Sequence, residues 1–213
     1  MRARLVAIVL LLVVVGLICR VPGCSARRVA ENAREDCASL FSQQNFSEFG
    51  FRTFEESQAV RQASLEEPAH AYSIPPSRIL TFERGQDPKS LLRDDATRFF
   101  PVSVNGEAKM GIEVERGFCG WEITACGGSA LAQIVSRASR EARAAGVEGV
   151  RVLLVDVPAL DMLLLGRESG TQLELAPLQP VPNLTAAELR PAADVIAILR
   201  PLAMKRAQAR VVR

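Results

Sequence analysis

Between Phe100 and Cys126 the apolar positions follow a two-residue period that breaks only at turn residues. Phe100, Val102 and Val104 alternate with Pro101 and Ser103. Asn105-Gly106 then supplies the dipeptide that best suits a two-residue hairpin, because both residues tolerate positive φ. On the return, Met110, Ile112 and Val114 face one way, and Lys109, Gly111, Glu113 and Glu115 the other. After a turn at Gly117, Trp121, Ile123 and Ala125 take one side while Glu122, Thr124 and Cys126 take the opposite one. Side chains alternate across a strand, so the pattern predicts a three-stranded antiparallel meander with one buried face.

At Gly127-Gly128 the period changes. Ser129 is placed to cap a helix that runs to Ala145, with Gly146 as its stop. Leu131, Ile134, Val135, Ala138 and Ala142 form one stripe, and Arg137, Arg140 and Arg143 lie largely off it. A one-faced sheet followed at once by an amphipathic helix is expected to bury its apolar face against that helix. Downstream, Val150–Val155 reads as a buried strand ending at Asp156. Residues 161–165 and 171–175 read as a hairpin across Arg167–Gly170. The pattern alone leaves open whether these strands extend the first sheet or form a second.

The flanks are less regular. Residues 27–66 predict a polar helical arm, with Ser25 capping a first helix and the Thr53–Glu56 spacing marking a second. Phe41, Phe46, Phe49, Phe51 and Phe54 crowd this arm and are too many to leave in water. Packing onto the following domain is the simpler reading, and a partner-binding surface formed by Phe46, Phe49 and Phe51 is the alternative. Residues 71–74 and 78–82 read as short strands around Pro75-Pro76, and Asp87-Pro88 as a capped helical turn. After a proline-rich linker at 177–182, Thr185–Glu188 has capping-box spacing. Leu189, Ala193, Ile196 and Leu199 predict a helix leading into a basic tail.

The N-terminus carries a different pattern. Arg2 and Arg4 precede an unbroken apolar run, residues 5–19, followed by Arg20 and small residues. This is the form of an export signal. Cys24-Ser25-Ala26 suits cleavage after Ala26, and Gly23 before Cys24 suits lipid attachment at Cys24. The run at 5–19, if kept, is a short membrane anchor. Charge changes its meaning once this segment is set aside. Of 26 basic and 24 acidic residues, three arginines and no acid lie in residues 1–26, leaving 23 basic against 24 acidic. No polycation remains to argue for nucleic acid. Arginine and alanine are abundant and lysine scarce, a habit of GC-rich bacterial genomes.

Candidate chemistry is sparse. The single histidine, His70, excludes a metal site built from several histidines, and no phosphate loop, His-Glu-x-x-His helix or Gly-x-Ser-x-Gly elbow is present. Cys119 and Cys126 stand about 20 Å apart if the strand between them is extended, too far to bond. By parity Cys119 sides with Trp121 and Cys126 with Glu122. A single native bond would then join Cys37 to Cys126 as a helix-to-sheet staple. Two catalytic pairings are conceivable: a Cys119 thiol served by His70, and the carboxylates Asp156 and Asp161 at the end of a buried strand. Glu113 and Glu115 form a charged strand face, exposed to solvent or turned to a partner.

The reading is an α+β fold: a three-stranded antiparallel meander packed by an amphipathic helix and extended by further strands. Its organisation is 1–26 export signal or anchor, 27–66 Phe-rich helical arm, 67–177 α+β domain, and 178–213 linker, C-terminal helix and basic tail. The expected function is an exported bacterial envelope protein acting as a non-enzymatic binding or accessory module. Its partner would be another envelope protein or a small ligand, with membrane association through residues 5–19 or Cys24. No cofactor, metal or nucleic acid is expected. Two alternatives stand beside it: a membrane-assembly component oligomerising through its N-terminal region, and an exported hydrolase using Asp156/Asp161 or Cys119/His70.

Overall fold

A computed structural model describes residues 25–146 and 149–211; the export segment, with residues 5–19 and Cys24, lies outside them. The chain runs through helices α1 (Ala26–Ser39) and α2 (Phe54–Gln58), then strands β1 (Ser64–Leu65) and β2 (Ala69–Ser73). Helix α3 (Pro76–Thr81) precedes the meander β3 (Arg93–Val104), β4 (Glu107–Gly117) and β5 (Gly120–Gly127). Helix α4 (Ser129–Ala144) leads to β6 (Arg151–Val157), β7 (Met162–Ser169) and β8 (Gln172–Pro177), and a short β9 (Arg190–Pro191) enters α5 (Ala192–Val211). The fold is α+β.

All nine strands belong to one sheet in the order β5-β4-β3-β2-β6-β7-β8-β9, with β1 also on β3. The strand that joins the two antiparallel halves is β2. It pairs antiparallel with β3 (Ala69 opposite Phe99) and parallel with β6 (His70 level with Leu153). The segment 150–177 therefore extends the first sheet. Near 78–82 the expected strand is the helix α3: Pro76 presets the first helical φ, and Ile79 and Phe82 fall three apart and are both buried.

The meander forms as the alternation predicts, but its apolar face is not covered by α4. Phe100, Val102, Val104, Met110, Ile112 and Val114 pack against Val29, Ala30, Ala33, Cys37 and Ala38 of α1, with Phe41, Phe51 and Val60. Helix α4 covers the opposite face, against Phe99, Ala108, Ala69, Val152, Leu154 and Leu165. Its most buried positions are Ala132, Val135, Ser136, Ser139 and Ala142. Small residues let the helix lie close to the sheet, which turns the stripe away from the one that side-chain size suggests. The first residue of α4 is Ser129, and the N-cap is Gly128 at φ +70.

The second half of the sheet is covered on the α1 side by α3 and α5. Val195, Ile196, Leu199 and Ala203 pack there against Ile74, Ile79, Phe82, Leu153, Val155 and Leu164. The Thr185–Glu188 spacing does not start a helix. That segment turns, with Val181 bridging Leu184, and helix begins only after Pro191.

Two β-bulges overturn parity assignments. Glu113 pairs with Ala125 and Val114 with Ile123, so Thr124 is the extra residue. The bulge puts Cys126 opposite Ile112, on the α1 face, and Ala125 opposite Glu113, on the other. Cys126 is accordingly bonded to Cys37, with Cα atoms 6.2 Å apart. A second bulge sits at Lys109, between the pairs Val102–Met110 and Ser103–Ala108. Lys109 is thus buried rather than solvent-facing, its amine 3.0 Å from Glu56 and 2.8 Å from Glu107. The hydrogen bond to Glu107, with Glu56 adding to it, raises the Lys109 pKa against the opposing effect of burial.

Candidate functional site

The Phe-rich arm does not present a surface. Phe51 is buried, and Phe46 and Phe49 pack against the same core. The Phe41 ring lies 5.0 Å from Phe49 and 4.9 Å from Phe51. Of the partner-surface residues expected from the sequence, Glu113 is half-buried and accepts a hydrogen bond from Thr124 Oγ1 at 2.9 Å. Glu115 stays exposed.

What the sheet does present is the β4–β5 hairpin. Sheet order makes β5 an outer strand, and the turn beyond Gly117 pushes Phe118 fully into solvent beside the free, exposed Cys119. Trp121 packs partly on the core beneath the Arg98 guanidinium, 5.7 Å from its ring, and Ile123 remains exposed. On the reverse face Glu115 is directly opposite Glu122, and both are exposed. Like charges at paired positions repel. Neither carboxylate has an ion-pair partner among the described residues. Parity placed Cys119 near the core, but the tight Gly117–Gly120 turn releases it.

The Cys119/His70 pairing is not assembled. Cys119 is at the hairpin tip, whereas His70 is in β2, two strands inward and several residues lower. Strand spacing and rise place them on the order of 20 Å apart. Asp156 and Asp161 do share the end of the sheet, with Asp95. Partial burial, then Asp95 and Asp161, push the Asp156 carboxyl above the usual range. Ser73 Oγ donates to Asp95 at 2.8 Å, and Asp156 is exposed. Among the described residues no group of three histidine, cysteine or acidic side chains is placed to hold a metal ion.

At the opposite end of the sheet lies a cleft of about 550 Å³ beneath the start of β6. The parallel register explains it. With His70 level with Leu153, Arg151 comes level with Pro68, so β2 has no neighbour on that side below this point. The last turns of α4 overhang the gap with Ser139, Ala142 and Arg143. Arg143 lies 4.0 Å from Glu67, and Arg151 bonds Glu168 at 2.5 Å. Burial, then Arg98 and Arg151, lower the His70 pKa against the opposing pull of Asp94 and Glu168. The sequence singled out His70 but not Ser139. The available signal was a serine on the buried side of α4, where alanine and valine neighbour it.

Compared with protein-family models, curated proteins and solved structures, the chain has no match.

Proposed function

We propose that this chain is an exported bacterial envelope protein that works as a binding or accessory module, meeting a protein partner through its β4–β5 hairpin. The observation that carries this reading is Phe118, an aromatic side chain fully exposed at the tip of an outer hairpin. An aromatic side chain has few rotatable bonds to order and a large apolar area to bury, the profile of an interface anchor. Ile123, lower on the outer strand of that hairpin, adds exposed apolar area, and the unneutralised Glu115–Glu122 pair favours a partner with basic groups. The bulge at Thr124 interrupts the outer edge of β5, so recognition rests on side chains rather than on an added strand. Export rests on the N-terminal pattern, with tethering through residues 5–19 or Cys24, and the Cys37–Cys126 bond is compatible with an oxidising compartment.

The test uses the full chain expressed in a bacterial host with a photo-crosslinking side chain at position 118. The expected result is an adduct with one discrete envelope protein that is lost when Glu115 and Glu122 are changed to lysine. Adducts insensitive to that charge reversal, or none, would overturn the binding surface. A membrane-impermeant maleimide applied to intact spheroplasts reads the address. Labelling that disappears in Cys119→Ser places the hairpin outside the membrane, and protection of Cys119 places it inside.

A further inference from the structure

Two buried side-chain polar atoms have no hydrogen-bond partner among the described residues, Ser139 Oγ and His70 Nδ1, and both residues line the cleft below β6. Ser139 is 7% exposed. Buried polar groups are nearly always paired because leaving one unpaired forfeits its hydration. His70, level with Leu153, belongs to the α1 side of the sheet and Ser139 to the α4 side, so the two atoms meet the cleft from opposite faces; the unpaired serine on α4 marks a place where something else supplies the bond.

The lining says what that is. Arg143 and Arg151 stand at the rim, half-exposed or more, and each has a single carboxylate partner. A guanidinium has five N–H donors, so each keeps donors free. Glu67, the one acidic side chain among the described residues of the lining, is shared between Arg143 and Arg27. Among the described side chains of the lining, free donors therefore outnumber acceptors. Pro68, Ala142 and Val152 supply an apolar wall.

We propose that this cleft binds a small molecule bearing an oxyanion, a carboxylate or a phosphoryl group. The oxyanion accepts from Ser139 Oγ–H and from Arg143, and a compact apolar body rests on Pro68, Ala142 and Val152. The site lies at the far end of the sheet from the β4–β5 hairpin and stands or falls independently of it.

The chain's only histidine makes the test direct, since one imidazole signal in the NMR spectrum reports on the cleft. The full chain is titrated with benzoate and, separately, with inorganic phosphate. Each is followed at the His70 ring. The expected result is a saturable shift with at least one probe at millimolar concentration or below, weakened at least fivefold by Ser139→Ala and by Arg143→Gln. A bound anion also raises the pKa of the His70 ring, which the same signal reads. Saturation by phosphate assigns a phosphoryl ligand, and saturation by benzoate alone assigns a carboxylate. Arg143→Gln changes an exposed side chain and leaves the fold intact, so its result stands even if Ser139→Ala unfolds. No saturable shift with either probe, or shifts that both variants leave unchanged, would overturn the proposal and leave the two atoms to water.

Discussion

The two faces of the meander look alike in sequence logic and are built differently. One carries the long alternating residues Phe100, Val102, Val104, Met110, Ile112 and Val114, and its cover is α1, a helix more than sixty residues earlier in the chain. The other carries Phe99, Gly111 and Ala108, and its cover is α4, the next helix along. The first face is closed by bulk, a disulfide and a buried lysine. The second is closed by small residues that let helix and strand approach. A hydrophobic period announces that a face is covered; it does not announce by what. The nearest helix took the flatter face because alanine and serine suit close packing, while the bulkier face needed the arm's phenylalanines.

The sharpest way to separate the faces is to cut the bond that belongs to only one. Replacing Cys37 and Cys126 by serine removes a crosslink closing 89 residues of sequence and should cost about 3 kcal/mol, read by urea unfolding. The close-packed face has its own weak point. A Cβ added at Gly111 would lie 2.0 Å from Phe99 Cζ, and Phe99 is buried. Gly111→Ala should therefore cost about 2 kcal/mol by the same measurement. If it proves neutral, the Phe99 ring has room to move and the contrast between the faces is weaker than drawn.

Lys109→Met comes next, at about 1 kcal/mol. The loss is modest because Glu107 is half-exposed and Glu56 keeps the hydrogen bond from the Arg52 backbone N–H that, ahead of Lys109, holds its pKa down. The smallest effect is a pH dependence. His70 in the folded protein sits below 6.5, so the unfolded chain takes up the proton first as pH falls. Its contribution is complete above 6.5 and is lost as pH drops from there toward the folded value. Unfolding free energy measured between pH 7 and 5 should fall less steeply in His70→Gln than in the parent.

Much of the layout was legible. The meander, its Asn105-Gly106 hairpin, α4 and the capped turn at Asp87 follow from local periodicity and turn chemistry, and the structure has them. What was not legible depends on single residues out of register. Thr124 and Lys109 are each one residue too many in their strands. Those two insertions turned Lys109 into the core and moved Cys126 to the α1 face, against simple alternation, although the Cys37–Cys126 pairing itself was named from the sequence. Nothing in the pattern marks a bulge before the partner strand is known. The joining role of β2 was hidden for a similar reason, because five residues beside two prolines say nothing about two neighbours distant in sequence. The exposed tip at Phe118 was missed because an aromatic in a turn reads as core until the turn proves tight.

The central claim is that the N-terminal segment is one cooperative unit with the meander rather than an appended arm. Native-state hydrogen exchange in the Cys37→Ser/Cys126→Ser variant tests it most directly, since the covalent tie is then gone and packing alone remains. The account predicts that Ala30 and Ala33 amides in α1 exchange with the same free energy as Met110 and Ile112 in β4. Exchange of the α1 amides through a separate, low-energy opening while β4 stays protected would contradict it.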